Sequence, residues 1–485
     1  MSLSDALRSV HFVAIGGTGM GSLAGFLHAR GLRVTGSDDK LYPPMSTLLE
    51  GWGIPVYEGF RAEHVTETNA DLVVIGNAVR PDNVEARAAI DEGYEYRSFS
   101  DALYELGIAG KHSVVVSGTH GKTTTTSLVA SILLRTGRDP SLLVGGHALD
   151  FEGSFREGAG EHFIVEGDEY DTAFFDKTPK FLHYHPHTLV VTSVEFDHAD
   201  IYRDLDHVKE AFRTLIGQMP ADGTIVAALG HAGVRDVVSN APCRVVGYGV
   251  GETDAVAGLD VVASGLAADA SGTHFSLHWP GGTAPTAMAP LYGEHNIENA
   301  VAALAVAIEL GVPPAEALAA LADFQGVRRR LEVRGVEGGV TVLDDFAHHP
   351  TAVRATLAAV RARYPGGRVL AIFEPRTNTS RRAIFQSAYA EAFGDADHVV
   401  IRQVADTPLY SATGEVTELF SAESLAADLN ERGLSAAALP DVDAIVSHVA
   451  ALARPGDVAV VMSNGDFGGV WEKLLAALGD DAESN

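Results

Sequence analysis

Cysteine is almost absent from this sequence, which contains one residue of that type, Cys243, among 485. A single cysteine excludes an internal disulfide framework and is typical of proteins from a reducing compartment. No apolar run approaches the roughly 20 residues of a membrane span, and the N-terminus lacks a basic segment followed by an apolar one. We therefore expect a cytoplasmic protein without a membrane partner.

Positive charge is also scarce. Lys and Arg together number 35 against 64 Asp and Glu, which gives a formal net charge of −29. This charge would repel nucleic acid and anionic membranes over most of the surface, so we expect small-molecule partners. An acidic protein that binds a nucleotide must make its binding site locally positive. The sequence leaves the oligomeric state, monomer or dimer, open.

The strongest motif is a glycine-rich turn between an apolar strand at 113–116 and a helix predicted over 124–134. Such a turn leaves backbone N–H groups free to bind an anion, while the lysine reaches the outer phosphates and a threonine hydroxyl binds Mg²⁺. Val116 stands where the standard pattern has its first glycine, so the loop is a shortened one, G-x-x-G-K-T. The candidate ATP-binding residues of this phosphate loop are Gly118, Thr119, His120, Gly121, Lys122, Thr123 and Thr124.

The first segment, residues 1–110, alternates strands and helices and carries a second glycine loop at 16–21, followed by a helix predicted over 22–30. Asp38 ends the next strand, where an acid that binds a ribose hydroxyl would lie. The β-α-β order predicts a parallel, Rossmann-like domain. The loop indicates a diphosphate-binding role, and its glycines do not identify the diphosphate.

Two strands of the second segment, residues 111–325, end in ionisable side chains, the first at Glu166 and the second before His198. Ligands bind outside the carboxyl ends of strands in open α/β sheets, so both ends should face the phosphate loop. Mg²⁺ prefers carboxylates and substrate phosphates. We therefore predict Thr123, Glu166 and His198 as metal ligands, and Lys122, Glu166 and His198 as catalytic residues. The segment reads as a P-loop ATPase-like domain with a parallel sheet, to which 221–286 adds a small β part.

Amide and guanidinium groups near the second boundary extend the candidate nucleotide site. Asn296 and Asn299 lie three residues apart on one predicted helix, where an amide suits an adenine edge; a solvated polar face is the alternative for Asn299. One of Arg328, Arg329 and Arg330 is expected to bind the outer phosphates, while the other two solvate a linker.

The third segment, residues 326–485, again alternates strands and helices and predicts a second Rossmann-like domain. Asp344 and Asp345 end an apolar strand, and His348 and His349 precede a helix that starts with proline. This density of ionisable groups at a strand end favours a binding role.

Taken in order, these motifs resemble those of the Mur ligases, the ATP-dependent amide-forming enzymes of bacterial cell-wall synthesis. The resemblance covers nearly the whole chain, and its motifs are the first glycine loop and residues 118–124, 166–171, 195–198, 293–296, 329–332 and 344–350. Residues 42–47, 374–379 and 462–469 resemble the branch of the family that joins UDP-N-acetylmuramate to a recycled cell-wall tripeptide, L-alanyl-γ-D-glutamyl-meso-diaminopimelate.

The resemblance implies a place for each ligand. The UDP part of the sugar nucleotide is expected on Gly17, Thr18, Gly19, Met20, Ser37, Asp38 and Asn77. ATP is expected between the second and third domains, on the phosphate loop together with Asn296, Arg330 and Asp345. Mg²⁺ is expected on Thr123, Glu166 and His198, and the incoming peptide on Arg376, Asn378, Asn464 and His349.

The implied reaction is an ATP-dependent ligation in peptidoglycan recycling. The lactyl carboxylate of UDP-N-acetylmuramate would become an acyl-phosphate, which the peptide amine then attacks. A ligase that adds L-alanine to the same sugar nucleotide is the nearest alternative. A nicotinamide-dependent oxidoreductase would explain the first glycine loop and Asp38, but it leaves Lys122, Glu166 and His198 without a purpose. Ser193 departs from the family pattern, because relatives usually carry asparagine there.

Overall fold

The computed structural model describes residues 7–42, 45–151, 153–252, 258–404, 409–411 and 414–483. Residues 43 and 44, part of the pattern at 42–47, lie outside them. Three sheets follow one another along the chain, each flanked by helices, and the predicted three-part α/β fold class is confirmed. No helix within the described ranges is long and apolar enough to cross a membrane.

The first sheet is parallel, with strand order β3-β2-β1-β4-β5. Its strands are β1 (Ser9–Val13), β2 (Arg33–Asp38), β3 (Val56–Glu58), β4 (Leu72–Ile75) and β5 (Tyr96–Ser98). Its helices are Thr18–Ala29, Met45–Gly51, Ala62–Thr68, Val84–Asp91 and Phe99–Leu103, with a π-helix at Tyr104–Ile108. The first helix starts four residues before the predicted position, because Gly17 in extended conformation already caps it. The glycine loop is therefore shorter than predicted, and the amides from Thr18 onward belong to the first helical turn.

The central sheet has ten strands in the order β15-β14-β13-β12-β11-β10-β6-β9-β7-β8. Its strands are β6 (His112–Ser117), β7 (Ser141–Ala148), β8 (Gly153–Arg156), β9 (His162–Gly167), β10 (Thr188–Val191), β11 (Thr224–Ala228), β12 (Arg244–Val250), β13 (Val261–Asp269), β14 (Gly272–Trp279) and β15 (Gly282–Ala289). Its helices are Lys122–Arg135, Leu205–Gly217, Ala232–Val238, Glu294–Glu309 and Pro314–Ala322, with a 3-10 helix at Lys180–His183. Strand β6 pairs in parallel with β9 and β10, so the phosphate loop lies between the two strand ends expected beside it.

The small β part contains less of the segment 221–286 than the sequence suggested. Strands β11 and β12 of the segment 221–286 extend the parallel sheet, and only β13, β14 and β15 form an antiparallel meander. Short apolar strands rich in small residues look alike in both settings, because their sheet neighbours decide the direction of pairing.

The third sheet has the order β16-β17-β23-β18-β19-β22, parallel except for β16 at one edge. Its strands are β16 (Glu332–Glu337), β17 (Val340–Asp345), β18 (Val369–Phe373), β19 (His398–Arg402), β22 (Ser435–Leu439) and β23 (Val458–Met462), with a separate hairpin of β20 (Leu409–Ser411) and β21 (Gly414–Val416). Its helices are Pro350–Arg363, Gln386–Ala392, Ala422–Glu431, Val442–Leu452 and Val470–Glu483, with 3-10 helices at Ala383–Phe385 and Phe467–Gly469.

The first and central parts share one apolar core. Phe26 on the first helix packs edge-on against Phe155 and Phe163, and Trp52 also contacts Phe155. Burial of large aromatic side chains across a boundary contributes strongly to association. The glycine loop and the phosphate loop are therefore held in a defined relation.

Candidate active site

The phosphate loop is built on two glycines with left-handed backbones, Gly118 at φ 140° and Gly121 at φ 81°. A Cβ at Gly118 would lie 2.0 Å from Thr192 Oγ1, and one at Gly121 would lie 2.4 Å from Asn299 Oδ1. Gly121 precedes the helix Lys122–Arg135, which starts two residues before the predicted position and takes Lys122 and Thr123 into its first turn. The first amides of a helix have no partner within it, so they are available to an anion.

Two loop amides are already occupied by the neighbouring strand end. Thr119 N donates to Ser193 O at 3.0 Å, and His120 N donates to Ser193 Oγ at 2.9 Å. The serine that departs from the family pattern thus makes a polar contact with the loop. Its hydroxyl accepts from the loop backbone, which a side-chain amide oxygen can also do.

Lys122 and His198 meet on one buried carboxylate, Glu169. Lys122 Nζ lies 2.9 Å from Glu169 Oε2, and His198 Nε2 lies 3.0 Å from Glu169 Oε1. Burial disfavours the carboxylate charge of Glu169, but Lys122 and His198 outweigh it and lower its pKa to about 2. Burial likewise opposes the charge of Lys122, and Glu169 outweighs it, so the pKa of Lys122 is raised. Sequence reasoning did not single out Glu169; its position three residues after Glu166, beyond the same strand, was the available signal.

Thr123 and Glu166 form a second polar pair. Thr123 Oγ1 donates to Glu166 Oε2 at 3.1 Å, and Gly145 N donates to Glu166 Oε1 at 2.7 Å. Burial and the charge of Asp168 raise the pKa of Glu166 to about 7. A buried carboxylate beside a hydroxyl and a second acid matches the oxygen ligands that Mg²⁺ prefers, so these residues fit the ion. The structure does not bring His198 into this pair, since His198 is bound to Glu169.

The three arginines separate into different surroundings. Arg330 is the one at the phosphate loop, where its guanidinium donates to Thr123 Oγ1 at 3.4 Å. Arg329 Nε lies 3.4 Å from Asp344 Oδ1, and Arg329 Nη2 donates to Ser463 O and Gly465 O at 2.7 Å each. The expectation that two of the arginines solvate a linker is wrong for Arg329, which joins two loops of the third part.

The two asparagines of the helix Glu294–Glu309 differ in burial and in hydrogen-bond partner. Asn296 is half-buried and donates to Tyr292 O at 2.9 Å. Asn299 is buried and accepts from Thr125 Oγ1 at 3.2 Å, with its Oδ1 against Gly121. The solvated face considered for Asn299 is therefore wrong, because the phosphate-loop helix covers it.

Glu195 connects the phosphate loop with the third part of the chain. His120 Nε2 lies 3.3 Å from Glu195 Oε2, to which Thr351 Oγ1 also donates at 2.7 Å. The ring of His349 lies 4.8 Å from that of His120. The structure thus groups His349 with the phosphate loop. Its Nε2 is buried and has no hydrogen-bond partner among the residues described.

The third part is closed over the strand end that carries His198. Ala199 N donates to Thr379 Oγ1 at 3.2 Å, and Arg382 donates to Ala199 O at 3.1 Å. The third part contacts the same short segment that holds His198 beside Glu169.

Residues predicted to bind the peptide lie on the third part. Arg376 is exposed and its Nη1 is 3.5 Å from Asp466 Oδ1, beside Gly465. Asn464 is adjacent, and its Oδ1 is buried without a hydrogen-bond partner in the described part of the chain. Asn378 is exposed. The structure places Arg376 against Gly465, the residue that follows Asn464.

Asp345 stabilises its own loop. Its carboxylate accepts hydrogen bonds from Leu331 N and Ala347 N, at 2.9 Å each, and from Thr356 Oγ1 at 3.0 Å. These bonds orient the turn that carries His348 and His349.

The first glycine loop presents a mixed surface. Gly17, Thr18 and Asn77 are exposed, Gly19 is half-buried and Met20 is buried. Asp38, half-buried, accepts from Gly16 N at 2.8 Å and fastens the loop. Ser37 is fully buried and its hydroxyl donates to Glu85 at 2.7 Å, so its side chain has no exposed surface for a ligand.

Family models match the chain in three consecutive stretches. The Mur ligase catalytic domain matches residues 9–110, the Mur ligase middle domain 116–307, and the glutamate ligase domain of the Mur ligases 329–465. The ligase from Escherichia coli that joins UDP-N-acetylmuramate to L-alanyl-γ-D-glutamyl-meso-2,6-diaminoheptandioate is 40% identical over 98% of this chain and 99% of its own. The chain belongs to the Mur ligase family. It is therefore an ATP-dependent, amide-forming ligase.

Two further relatives bear on the branch of the family. A murein peptide ligase from Psychrobacter arcticus, known from a crystal structure, has a TM-score of 0.72 and 33% identity, covering 98% of this chain and 99% of that chain. An L-alanine ligase from Caldanaerobacter subterraneus is 35% identical over 97% of this chain and 98% of its own. Relatives from both branches thus match nearly the whole of this Mur ligase, and the tripeptide ligase of Escherichia coli is more similar to it in sequence than this L-alanine ligase is, at 40% against 35% identity.

Proposed function

We propose that this Mur ligase joins the lactyl carboxylate of UDP-N-acetylmuramate to the amine of L-alanyl-γ-D-glutamyl-meso-diaminopimelate, in the cytoplasm and at the expense of ATP. The observation that carries the proposal is the buried group of Lys122, Glu169 and His198 beneath the closed third part. The similarity to the tripeptide ligase of Escherichia coli supports the choice of acceptor. In this proposal residues 1–110 bind the sugar nucleotide, 111–325 bind ATP and 326–485 bind the peptide.

The first step is phosphoryl transfer to a carboxylate. A carboxylate oxygen attacks the γ-phosphorus of ATP, ADP leaves, and an acyl-phosphate remains. Both reactants are anionic, so the Lys122 ammonium, the Arg330 guanidinium and the first helical amides reduce their repulsion and stabilise the charge of the transferred group. Mg²⁺, when bound by Thr123 and Glu166, supplies further positive charge to the phosphate oxygens.

The second step forms the amide. The neutral peptide amine attacks the acyl carbon, the carbon–oxygen bond to phosphate breaks, and inorganic phosphate leaves with the proton that the amine nitrogen gives up. His198 lies beside this centre with its pKa raised, because Asp197 and Glu169 outweigh the effect of burial. When it is protonated, the imidazole held by Glu169 places positive charge where oxyanions develop. Arg376 can pair with a peptide carboxylate through its guanidinium.

The test measures ADP release with UDP-N-acetylmuramate, ATP and Mg²⁺, in parallel with the tripeptide, with L-alanine and with neither acceptor. Turnover that depends on the tripeptide supports the proposal. Turnover with L-alanine alone would assign the chain to the L-alanine branch. That branch is the alternative because one of its members is 35% identical to this chain.

The chemistry of the centre is tested separately with Lys122→Ala. The variant should lose turnover while its affinity for UDP-N-acetylmuramate stays within about twofold of the wild type, because the lysine acts on the phosphates of ATP. Near-normal ligation by this variant would exclude the phosphate-loop assignment.

A further inference from the structure

Lys180 lies at the boundary between the first and central parts, between the first glycine loop and the segment that carries His198. It starts the 3-10 helix Lys180–His183, whose last residue pairs with Asp101 of the first part at 2.8 Å. Neither the family motifs nor the two proposed steps assign it a role. Its surroundings are nevertheless those of a binding residue.

The backbone of Lys180 is fixed beside the acidic motif that follows β9. Lys180 N donates to Tyr170 O at 2.9 Å, and Phe181 N donates to Asp168 O at 3.1 Å. The segment from 168 to 181 therefore folds back on itself beyond the end of β9. This return path places Lys180 next to the motif that contains Glu169.

Two aromatic rings place the ammonium between the first glycine loop and His198. Lys180 Nζ lies 5.4 Å from the centre of the Phe99 ring and 5.7 Å from that of Tyr170. The Phe99 ring packs against the glycine loop, 3.4 Å from where a Cβ of Gly19 would be. The Tyr170 ring lies 4.2 Å from that of His198. The Phe99 ring thus lies between the Lys180 ammonium and the glycine loop, and the Tyr170 ring lies between the ammonium and His198.

The Lys180 ammonium has little exposure to solvent, and its acidic neighbour lies beyond hydrogen-bond distance. The side chain of Lys180 is 14% exposed, and Asp168 Oδ2 is 3.9 Å from Nζ. Among the described residues nothing makes a hydrogen bond to this nitrogen. A largely buried ammonium has three N–H donors and normally binds acceptors, so this one is available to an anionic ligand. By contrast, Lys177 on the same segment is 68% exposed and paired with Asp171 at 3.0 Å.

We propose that Lys180 binds an anionic oxygen of the sugar nucleotide, on the path from the glycine loop to Lys122. This inference rests on the proposed function. A substrate whose diphosphate lies on the glycine loop and whose carboxylate reaches the ATP phosphates near His198 passes close to this ammonium. Both the diphosphate and the lactyl carboxylate present the required oxygens.

The test compares Lys180→Met with the wild type and with Lys177→Met as the matched control. Titration calorimetry measures the affinity for UDP-N-acetylmuramate, for UDP-N-acetylglucosamine, which lacks the lactyl carboxylate, and for an ATP analogue. Loss of a hydrogen-bonded charge pair should weaken sugar-nucleotide binding by about tenfold or more in Lys180→Met, while Lys177→Met binds like the wild type. The affinity for the ATP analogue should stay unchanged in both variants.

The pattern of losses identifies the oxygen. Weaker binding of UDP-N-acetylmuramate alone would assign Lys180 to the carboxylate, and equal loss for both sugar nucleotides would assign it to the diphosphate. Unchanged affinity for both, or a parallel loss for the ATP analogue, would overturn the inference while the wild-type ligation assay still stands. Failure of the wild type to bind UDP-N-acetylmuramate would overturn the proposed function and the inference together.

Discussion

Replacing Glu169 by glutamine removes the negative charge that lies between Lys122 and His198. Burial opposes ionisation of this carboxyl, but the two cations lower its pKa from 4.5 to about 2. A shift of that size corresponds to about 3 kcal/mol in favour of the folded, ionised form. Removing one partner of a buried ion pair costs a similar amount, about 3–5 kcal/mol. Glutamine keeps the shape and one acceptor, so we expect the lower value.

The variant Glu169→Gln should therefore lose both stability and activity. Its free energy of unfolding at pH 7 should fall by about 3 kcal/mol, as measured by chemical denaturation. Since Lys122 and His198 lose the group that orients them, kcat/KM for ATP should fall by about 100-fold, measured by ADP release. Glu210→Gln, an exposed position on the helix Leu205–Gly217 of the same part, is the control and should change neither quantity.

The dependence of the unfolding free energy on acidic pH tests the role of Glu169 more specifically. Because the folded-state pKa of Glu169 is below the unfolded value of 4.5, its contribution is complete above pH 4.5 and is lost as the pH falls toward about 2. The difference in unfolding free energy between the wild type and Glu169→Gln should shrink over that window. A constant difference, or wild-type kcat/KM in the variant, would refute the role assigned to this carboxylate.

Three further changes test other parts of the structure. Gly121→Ala would force a left-handed residue to carry a Cβ 2.4 Å from Asn299 Oδ1, so we expect at least about tenfold higher KM for ATP and a lower melting temperature; an unaltered KM would contradict the loop geometry. Arg376→Ala should raise KM for the peptide much more than KM for ATP, and equal effects would move Arg376 out of the peptide site. Burial and neighbouring histidines such as His187 lower the pKa of His112 from 6.5 to about 4, so the wild type should lose stability as the pH falls through that window. Denaturation at pH 7 and 5 should show a smaller loss for His112→Gln; an equal loss would exclude His112 as the cause.

The fold class and the ends of the main strands follow from local patterns. The apolar run of β6, the glycines after it and Lys122 predict a strand, a phosphate loop and a helix, since each depends on neighbours within a few residues. The same reasoning indicated that Glu166 and His198 face this loop, because parallel strands end at one edge of a sheet. The two helices that follow glycine loops start four and two residues before their predicted positions, at Thr18 and Lys122, since a glycine cap is hard to distinguish from loop.

The tertiary structure alone decided which polar groups share a partner. Glu169 stands between Lys122 and His198, Asn299 is covered by the phosphate-loop helix, and Ser37 is buried on Glu85. These outcomes depend on the direction and burial of side chains that meet across distant stretches of chain. A motif determines which chemical groups are present, whereas their charges, pKa values and accessibility arise from the surroundings that folding assembles.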